Sequence, residues 1–412
     1  MSEQAGHAAS CPFAADRPRF PFPRECPVHP ASGYQRLQQD DAIVKVTLWD
    51  DSTAWLVTRY DDFKALLIDP RISADTRHPG YPAISGGVSV LRDRYRTLNS
   101  MDAPEHTVRR RMVAKEFTAK RIAQMQSAID AIVDELITAF RQQPRPVDFV
   151  EELAFPLATR VICDLLGVPY EDREFFQSRA KLMSSSRTTE AEAVAAGLEL
   201  CEDYIGRLIR RRESDPQEDL LSRLVVEQFK PGHLSYHELI STARQLLVAG
   251  HETTANTSSL AMLALFQNPE QFDLLRADPS LLPGAVEELL RYCDATHSGR
   301  RRVALEDIEI RGTRIRAGEG IIIHNIIANR DPAVFADADR LDFRRGNANM
   351  HVAFGFGPHV CLGQGIARIE LQGLFAGIVR NLPAIRLAVP FEQLRFKHEW
   401  QIYGLESLPV TW

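Results

Sequence analysis

No stretch of this 412-residue chain approaches about 18 consecutive apolar residues, the length a helix needs to cross a bilayer, so no membrane insertion is expected. The opening MSEQAGHAASCPF has neither a basic start nor an apolar core, so no secretory leader is expected and a cytoplasmic location is favoured. The six cysteines include no close Cys-x-x-Cys pair, which excludes the usual zinc sites. Cys163, Cys201 and Cys293 lie in apolar or amphipathic stretches and read as core or surface thiols. Cys11 and Cys26 read as reduced cytosolic thiols, with a bridge between them as the alternative. An excess of positive charge is also missing. The net charge of −6 argues against a nucleic-acid partner. Internal repeats are absent, and no Gly/Ser-rich or charged linker divides the chain after its N-terminal arm.

What is present is ordinary globular composition, 44% hydrophobic and 25% charged. Residues 1–30 are rich in proline and read as an extended arm on the surface, with residues 31–412 as one large domain. Lys45–Trp49 and Ala54–Thr58, around Asp50–Thr53, read as a β-hairpin. From about residue 100 onward, apolar residues recur at three- and four-residue spacing, as in Ala119–Arg141 and Ala191–Arg212. A second strand-rich patch spans Asp307–Ile323. The fold class is therefore mainly α with small β-sheets. One helix stands out. Ser235 and Glu238 have the form of a capping box, and the pattern then runs to Asn268, before Pro269. At 1.5 Å per residue it spans about 50 Å, enough to cross a domain.

Two segments carry chemistry. The first is Phe354-Gly-Phe-Gly-Pro-His-Val-Cys361-Leu-Gly363, followed by a helix-forming run. A thiolate at the mouth of a helix can bind haem iron and direct it toward oxygen activation. The helix N-terminus and cationic neighbours are expected to lower the thiol pKa. Gly355, Gly357 and Gly363 allow tight turns and close approach to a flat group, and Phe354 can keep water from the sulfur. The second is Ala249-Gly-His-Glu-Thr-Thr254, in the middle of the long helix. A charged Glu and two threonines are poor choices there for packing alone. Small residues at 249 and 250 leave room for something flat. A threonine hydroxyl can take over a helix carbonyl and open a groove.

Together these segments resemble the cytochrome P450 family. Phe-x-x-Gly-x-x-x-Cys-x-Gly matches its haem-ligand loop, and Ala-Gly-x-Glu-Thr matches its oxygen-activation motif. The resemblance implies the cytochrome P450 fold, with haem b between the long central helix and the cysteine loop. It implies Cys361 as the iron ligand, Thr253 as the hydroxyl at the oxygen-binding position and Glu252 as the acid of a proton relay. It also implies propionate binding by His106 and Arg110, in Pro-Glu-His-Thr-Val-Arg-Arg, and by Arg302 and His359. His106 and Arg110 share a helical face, and Asp102 reads as the N-cap of their helix with Glu105 at N3. Glu288-Leu-Leu-Arg291 matches the family's Glu-x-x-Arg support, completed by either Arg340 or Arg345.

The implied activity is a monooxygenase acting on a small organic molecule in secondary metabolism. No segment remains for a flavin or iron–sulfur domain, so electrons are expected from NAD(P)H through a separate ferredoxin and ferredoxin reductase. Arg109, Arg111, Lys115 and Arg121 are candidates for that docking face. By family position the substrate pocket draws on Arg77–Asn99, residues 177–197, the first half of the long helix, Cys293–Gly299 and Phe396–Tyr403. Gln245 and Ala249 lie on the face of Thr253, and with Val248, Asp294, Thr296 and His297 they suggest a partly polar substrate. The alternatives are another haem-thiolate reaction (nitric oxide reduction, peroxygenase or nitration chemistry) and a non-catalytic haem sensor. The intact Glu252-Thr253 pair favours the monooxygenase.

Overall fold

The computed structural model describes residues 17–412 apart from 25, 41–42, 84–94, 185–187, 294, 297, 399 and 401. Helices dominate it. The hairpin forms as Val44–Thr47 against Thr53–Val57, antiparallel, with Lys45 opposite Trp55 and Thr47 opposite Thr53. It extends into a five-stranded sheet in the order Val44–Thr47, Thr53–Val57, Gly320–Ile323, Arg300–Ala304, Ile72–Ser73. Ile321, Ile322 and Ile323 are fully buried, because this strand is covered on both faces. The strand-rich patch also yields a small hairpin, Ile308–Ile310 with Thr313–Ile315. Phe20 and Phe22 of the arm are buried, the latter stacked on Tyr34.

The long helix runs from Tyr236 to Gln267. Its capping box forms as read: Ser235 N–H donates to Glu238 Oε2 at 2.8 Å, and Glu238 N–H donates to Ser235 Oγ at 3.3 Å. Pro269 opens a new helix, Pro269–Ala277, where its missing N–H costs nothing. The helix Phe155–Leu166 packs extensively along the long helix, and Gln364–Asn381 packs on Ala119–Gln142. The largest apolar cluster lies among these, beneath the cysteine loop.

A buried ion-pair group holds the floor of that loop. Glu288 and Arg291 are fully buried and joined by two hydrogen bonds of 2.7 and 2.8 Å. Arg345 supplies the third side chain, with Nε 3.1 Å from both Glu288 oxygens. Arg340 contributes only its backbone carbonyl, which accepts from Arg291 and from Arg345. Arg291 also donates to the carbonyls of Asn329 and Ala338, so the helix Leu282–Tyr292 is tied to the segment leading into the loop.

Candidate active site

A cavity of about 250 Å³ lies between the long helix and the cysteine loop. Ala249, Gly250 and Thr253 border it from the helix; Phe354, Cys361 and Gly363 border it from the loop. Thr253 Oγ1 donates to the Ala249 carbonyl at 2.7 Å, so the hydroxyl does occupy a helix acceptor. Gly250 serves the neighbouring helix as well as the cavity. A Cβ there would stand 2.6 Å from Ile162 Cδ1.

The loop folds around the sulfur. Gly355 and Gly357 have φ of 79° and 70°, and a Cβ at Gly357 would also meet the Leu67 carbonyl at 2.7 Å. Only glycine fits that backbone without strain. The Cys361 N–H donates to the Phe354 carbonyl at 2.9 Å, closing the loop. The thiol is enclosed by protein yet open to the cavity. The expected lowering of its pKa does not occur in the protein alone. Burial pushes the thiol up, against the Gly363 N–H and the charges of Arg300, Arg110 and Arg368, which pull it down. A bound metal cation would favour the thiolate form of Cys361.

The two arginines and two histidines expected at the propionates converge on one side of the loop. The rings of His106 and His359 stack at 4.0 Å. Arg110 donates to the Val360 carbonyl at 2.6 Å. Arg302 is buried, and among the described residues it donates only to the Arg301 carbonyl, at 2.7 Å. Among the described residues none of these four forms an ion pair with a carboxylate, and His106 Nε2 and His359 Nδ1 are buried without a partner. Burial and the neighbouring Arg302, His106 and Arg110 hold His359 down at about 3. Arg302 falls to about 10, mainly through burial. A buried set of cations and orphaned ring nitrogens is incomplete until an anion enters. It fits a flat iron porphyrin bearing carboxylates, with Cys361 facing the metal. Arg110 and His359 border the cavity itself; His106 and Arg302 lie just behind.

Asp102 is not the cap of this helix. Its carboxylate accepts from Ser73 Oγ and from the Ala74 N–H at 2.8 Å, and the helix Glu105–Ala114 has Pro104 at its cap position. Glu252 is buried and does not border the cavity, because it turns toward Lys397. Burial raises its pKa and Lys397 partly offsets this. Of the substrate candidates, Gln245, Ala249 and Thr296 border the cavity. Val248 does not border the cavity and packs instead against a neighbouring apolar cluster. His297 and Asp294 lie outside the described residues. Among the described residues, none of 177–197 or 396–403 borders the cavity.

A p450 family model, described as cytochrome P450, matches residues 34–387. The chain belongs to the cytochrome P450 family. It is 44% identical over 413 residues to cytochrome P450 105A3 of Streptomyces carbophilus, covering all of both chains. It is 42% identical to the vitamin D3 dihydroxylase of Streptomyces griseolus, over 98% of this chain and 99% of that one. The crystal structure of mycinamicin VIII C21 methyl hydroxylase from Micromonospora griseorubida, bound to mycinamicin VIII, superposes with a TM-score of 0.90 at 39% identity, over 96% of this chain and 100% of that one. This P450 is accordingly a monooxygenase with haem b as cofactor, and NAD(P)H supplies its electrons through redox partners.

Three further residues belong to the site of this P450. Arg300 borders the cavity, lies against Gly355 and donates to the Ala353 carbonyl at 3.1 Å. Its signal was available, since residues two apart on a strand share a face and Arg302 was already placed. Glu370 borders the cavity, is buried and has no partner for Oε2 among the described residues, and burial raises its pKa well above the ordinary value. Lys397 donates to Asn256 Oδ1 at 3.0 Å, one turn from Glu252. Neither Glu370 nor Lys397 carries a spacing signal, because both depend on long-range packing.

Among the docking candidates, Arg109 is buried and ion-paired with Glu238 and Glu105. Lys115 pairs with Glu227. Arg121 stands 3.8 Å from Glu116, and Arg111 is exposed.

Proposed function

We propose that this P450 hydroxylates or epoxidises a small, partly polar organic molecule of secondary metabolism in the cytoplasm. Cys361 is the iron ligand, residues 31–412 form the catalytic domain and residues 1–30 its arm. The observation that carries the reading is the thiol of Cys361 opening onto a cavity whose far wall is Ala249, Gly250 and Thr253. When bound, thiolate-held haem activates dioxygen. The overall reaction would place one oxygen atom in a C–H or C=C bond and release the other as water, consuming two protons and two electrons. Arg110, Arg302, His106 and His359 hold the propionates. Thr253 presents a hydroxyl at the cavity wall, and Glu252 behind it stores a proton on the Lys397 side. Phe354 and the apolar lining exclude water from the sulfur.

The electrons are delivered by a ferredoxin with its reductase. Arg111 is the exposed cation left for docking, since Arg109 and Lys115 are engaged and Arg121 stands beside Glu116. The relatives named for vitamin D3 dihydroxylation and mycinamicin VIII methyl hydroxylation support hydroxylation as the reaction type. The test is turnover of a natural-product library with ferredoxin, reductase, NADPH and isotopically labelled dioxygen. One labelled oxygen atom per product is expected. Label arriving from water, or oxidation without incorporation, overturns the reading.

A further inference from the structure

Gln245 borders the cavity, two helical turns before Thr253 on the same face. Its Oε1 accepts the Leu98 backbone N–H at 2.7 Å. A backbone N–H is only a donor, so the atom facing it must be the amide oxygen, and this fixes the orientation of the side chain. The remaining group, Nε2, then points away from Leu98 with two hydrogens and donates to none of the described residues. Hydroxyls also line the wall at Thr253, Thr254, Thr257 and Thr296, and two of these are hydrogen-bonded. Thr253 donates to the Ala249 carbonyl, and Thr296 Oγ1 accepts from Asn325 Nδ2 at 2.7 Å. Asn99, next to Leu98, brings a second side-chain amide to the same end of the cavity. The segment carrying both is fastened to the long helix a turn earlier as well, by Ser241 Oγ to the Arg96 carbonyl.

We propose that Gln245 is a specificity residue whose amide nitrogen donates to an acceptor oxygen of the substrate. The substrate class is a rigid, largely apolar molecule bearing a carbonyl, ester or ether oxygen remote from the carbon oxidised. Eight residues at 1.5 Å place Gln245 about 12 Å along the helix from Thr253, which sets that separation on the order of 10 Å. A purely hydrocarbon ligand leaves the Gln245 amide without a partner. A ligand offering only donors there gains nothing from it. The inference rests on the reading of this cavity as the substrate site and names what that site recognises.

The test is equilibrium dialysis of the holoenzyme with two rigid tetracyclic probes, androstanone and its parent hydrocarbon androstane. A neutral hydrogen bond is worth about 0.5–1.5 kcal/mol, so the ketone is expected to bind about two- to twelvefold more tightly to the wild type. Gln245→Leu removes the donor and is expected to abolish that preference. Gln245→Glu keeps an oxygen for Leu98 N–H but turns the cavity-facing nitrogen into an oxygen, and it too is expected to abolish the preference. Loss in Gln245→Leu alone assigns the effect to the Leu98 tie and overturns the proposal. Equal binding of both probes by the wild type, a preference that survives both variants, or binding of neither probe also overturns it. The readout needs no turnover. Failure of the monooxygenase reading would leave the binding preference standing, and loss of the preference would leave labelled-oxygen incorporation into other compounds standing.

Discussion

The rings of His106 and His359 stack with centroids 4.0 Å apart, and each carries a buried nitrogen with no partner among the described residues. One comes from the helix Glu105–Ala114 and the other from the cysteine loop, so the contact joins two distant parts of the chain. With Arg110 and Arg302 beside them, the group is electrostatically unsatisfied until an anion is bound.

That imbalance has opposite consequences for the two forms of the protein. Replacing a buried, unpaired cation with an apolar side chain removes a desolvation cost. Arg302→Met is expected to stabilise the haem-free protein by about 1–2 kcal/mol, in the range seen for replacing buried charges. The same change is expected to weaken haem retention. Urea midpoints of the haem-free protein and the rate of haem transfer to an acceptor globin check both signs. Destabilised haem-free protein with undiminished retention would remove the propionate assignment.

The Glu288 group separates Arg345 from Arg340. Breaking a buried ion pair by deleting one partner costs about 3–5 kcal/mol. Arg345→Ala, which unpairs part of Glu288, is expected to cost about 3 kcal/mol by that measure. Arg340→Ala is expected to stay within about 0.5 kcal/mol, as exposed positions do. Chemical denaturation of the holoenzyme compares them directly.

Glu287 predicts an acid-sensitive joint. Its carboxylate accepts from His351 Nε2 at 3.1 Å and from Arg368 at 2.6 and 3.0 Å, and these partners hold it at about 2 despite burial. A carboxyl depressed in the folded state stabilises above its unfolded value and loses that contribution as pH falls through its folded value. The window here runs from about 4.5 down to about 2. Glu287→Gln is expected to be less stable at neutral pH and to lose less on acidification across that window. Thermal melts at stepped pH decide it; parallel losses in the two proteins would count against the assignment.

Thr253→Ala tests the proton path at the cavity wall. The variant keeps the helix, since the hydroxyl only shares a carbonyl already in the ladder. Product formed per electron consumed is expected to fall, by roughly tenfold if proton delivery is the step lost. An unchanged ratio would show that the hydroxyl is not used.

Much of this was legible from local pattern. The capping box at Ser235, the hairpin around Asp50–Thr53 and the helix after Cys361 all depend on neighbours within a few residues, and they appear where the pattern places them. The misreadings share a different cause. Asp102 reads as a helix cap until Ser73 and Ala74, about thirty positions earlier, claim its carboxylate. Arg109 reads as a surface charge until Glu238, 129 residues later, pairs with it. Val248 lies next to cavity residues in sequence, yet neighbouring helix positions point about 100° apart. Arg345 could not be chosen over Arg340 without the fold, because both lie in an irregular segment with no period.

The central claim is that Cys361 presents a thiolate to haem iron, and the absorption spectrum of the reduced protein with carbon monoxide tests it most directly. A Soret band at the red-shifted position of a thiolate-ligated complex is expected for the wild type and is expected to be absent in Cys361→His. A wild-type band at the position typical of histidine ligation, or a thiolate band that survives Cys361→His, would contradict it.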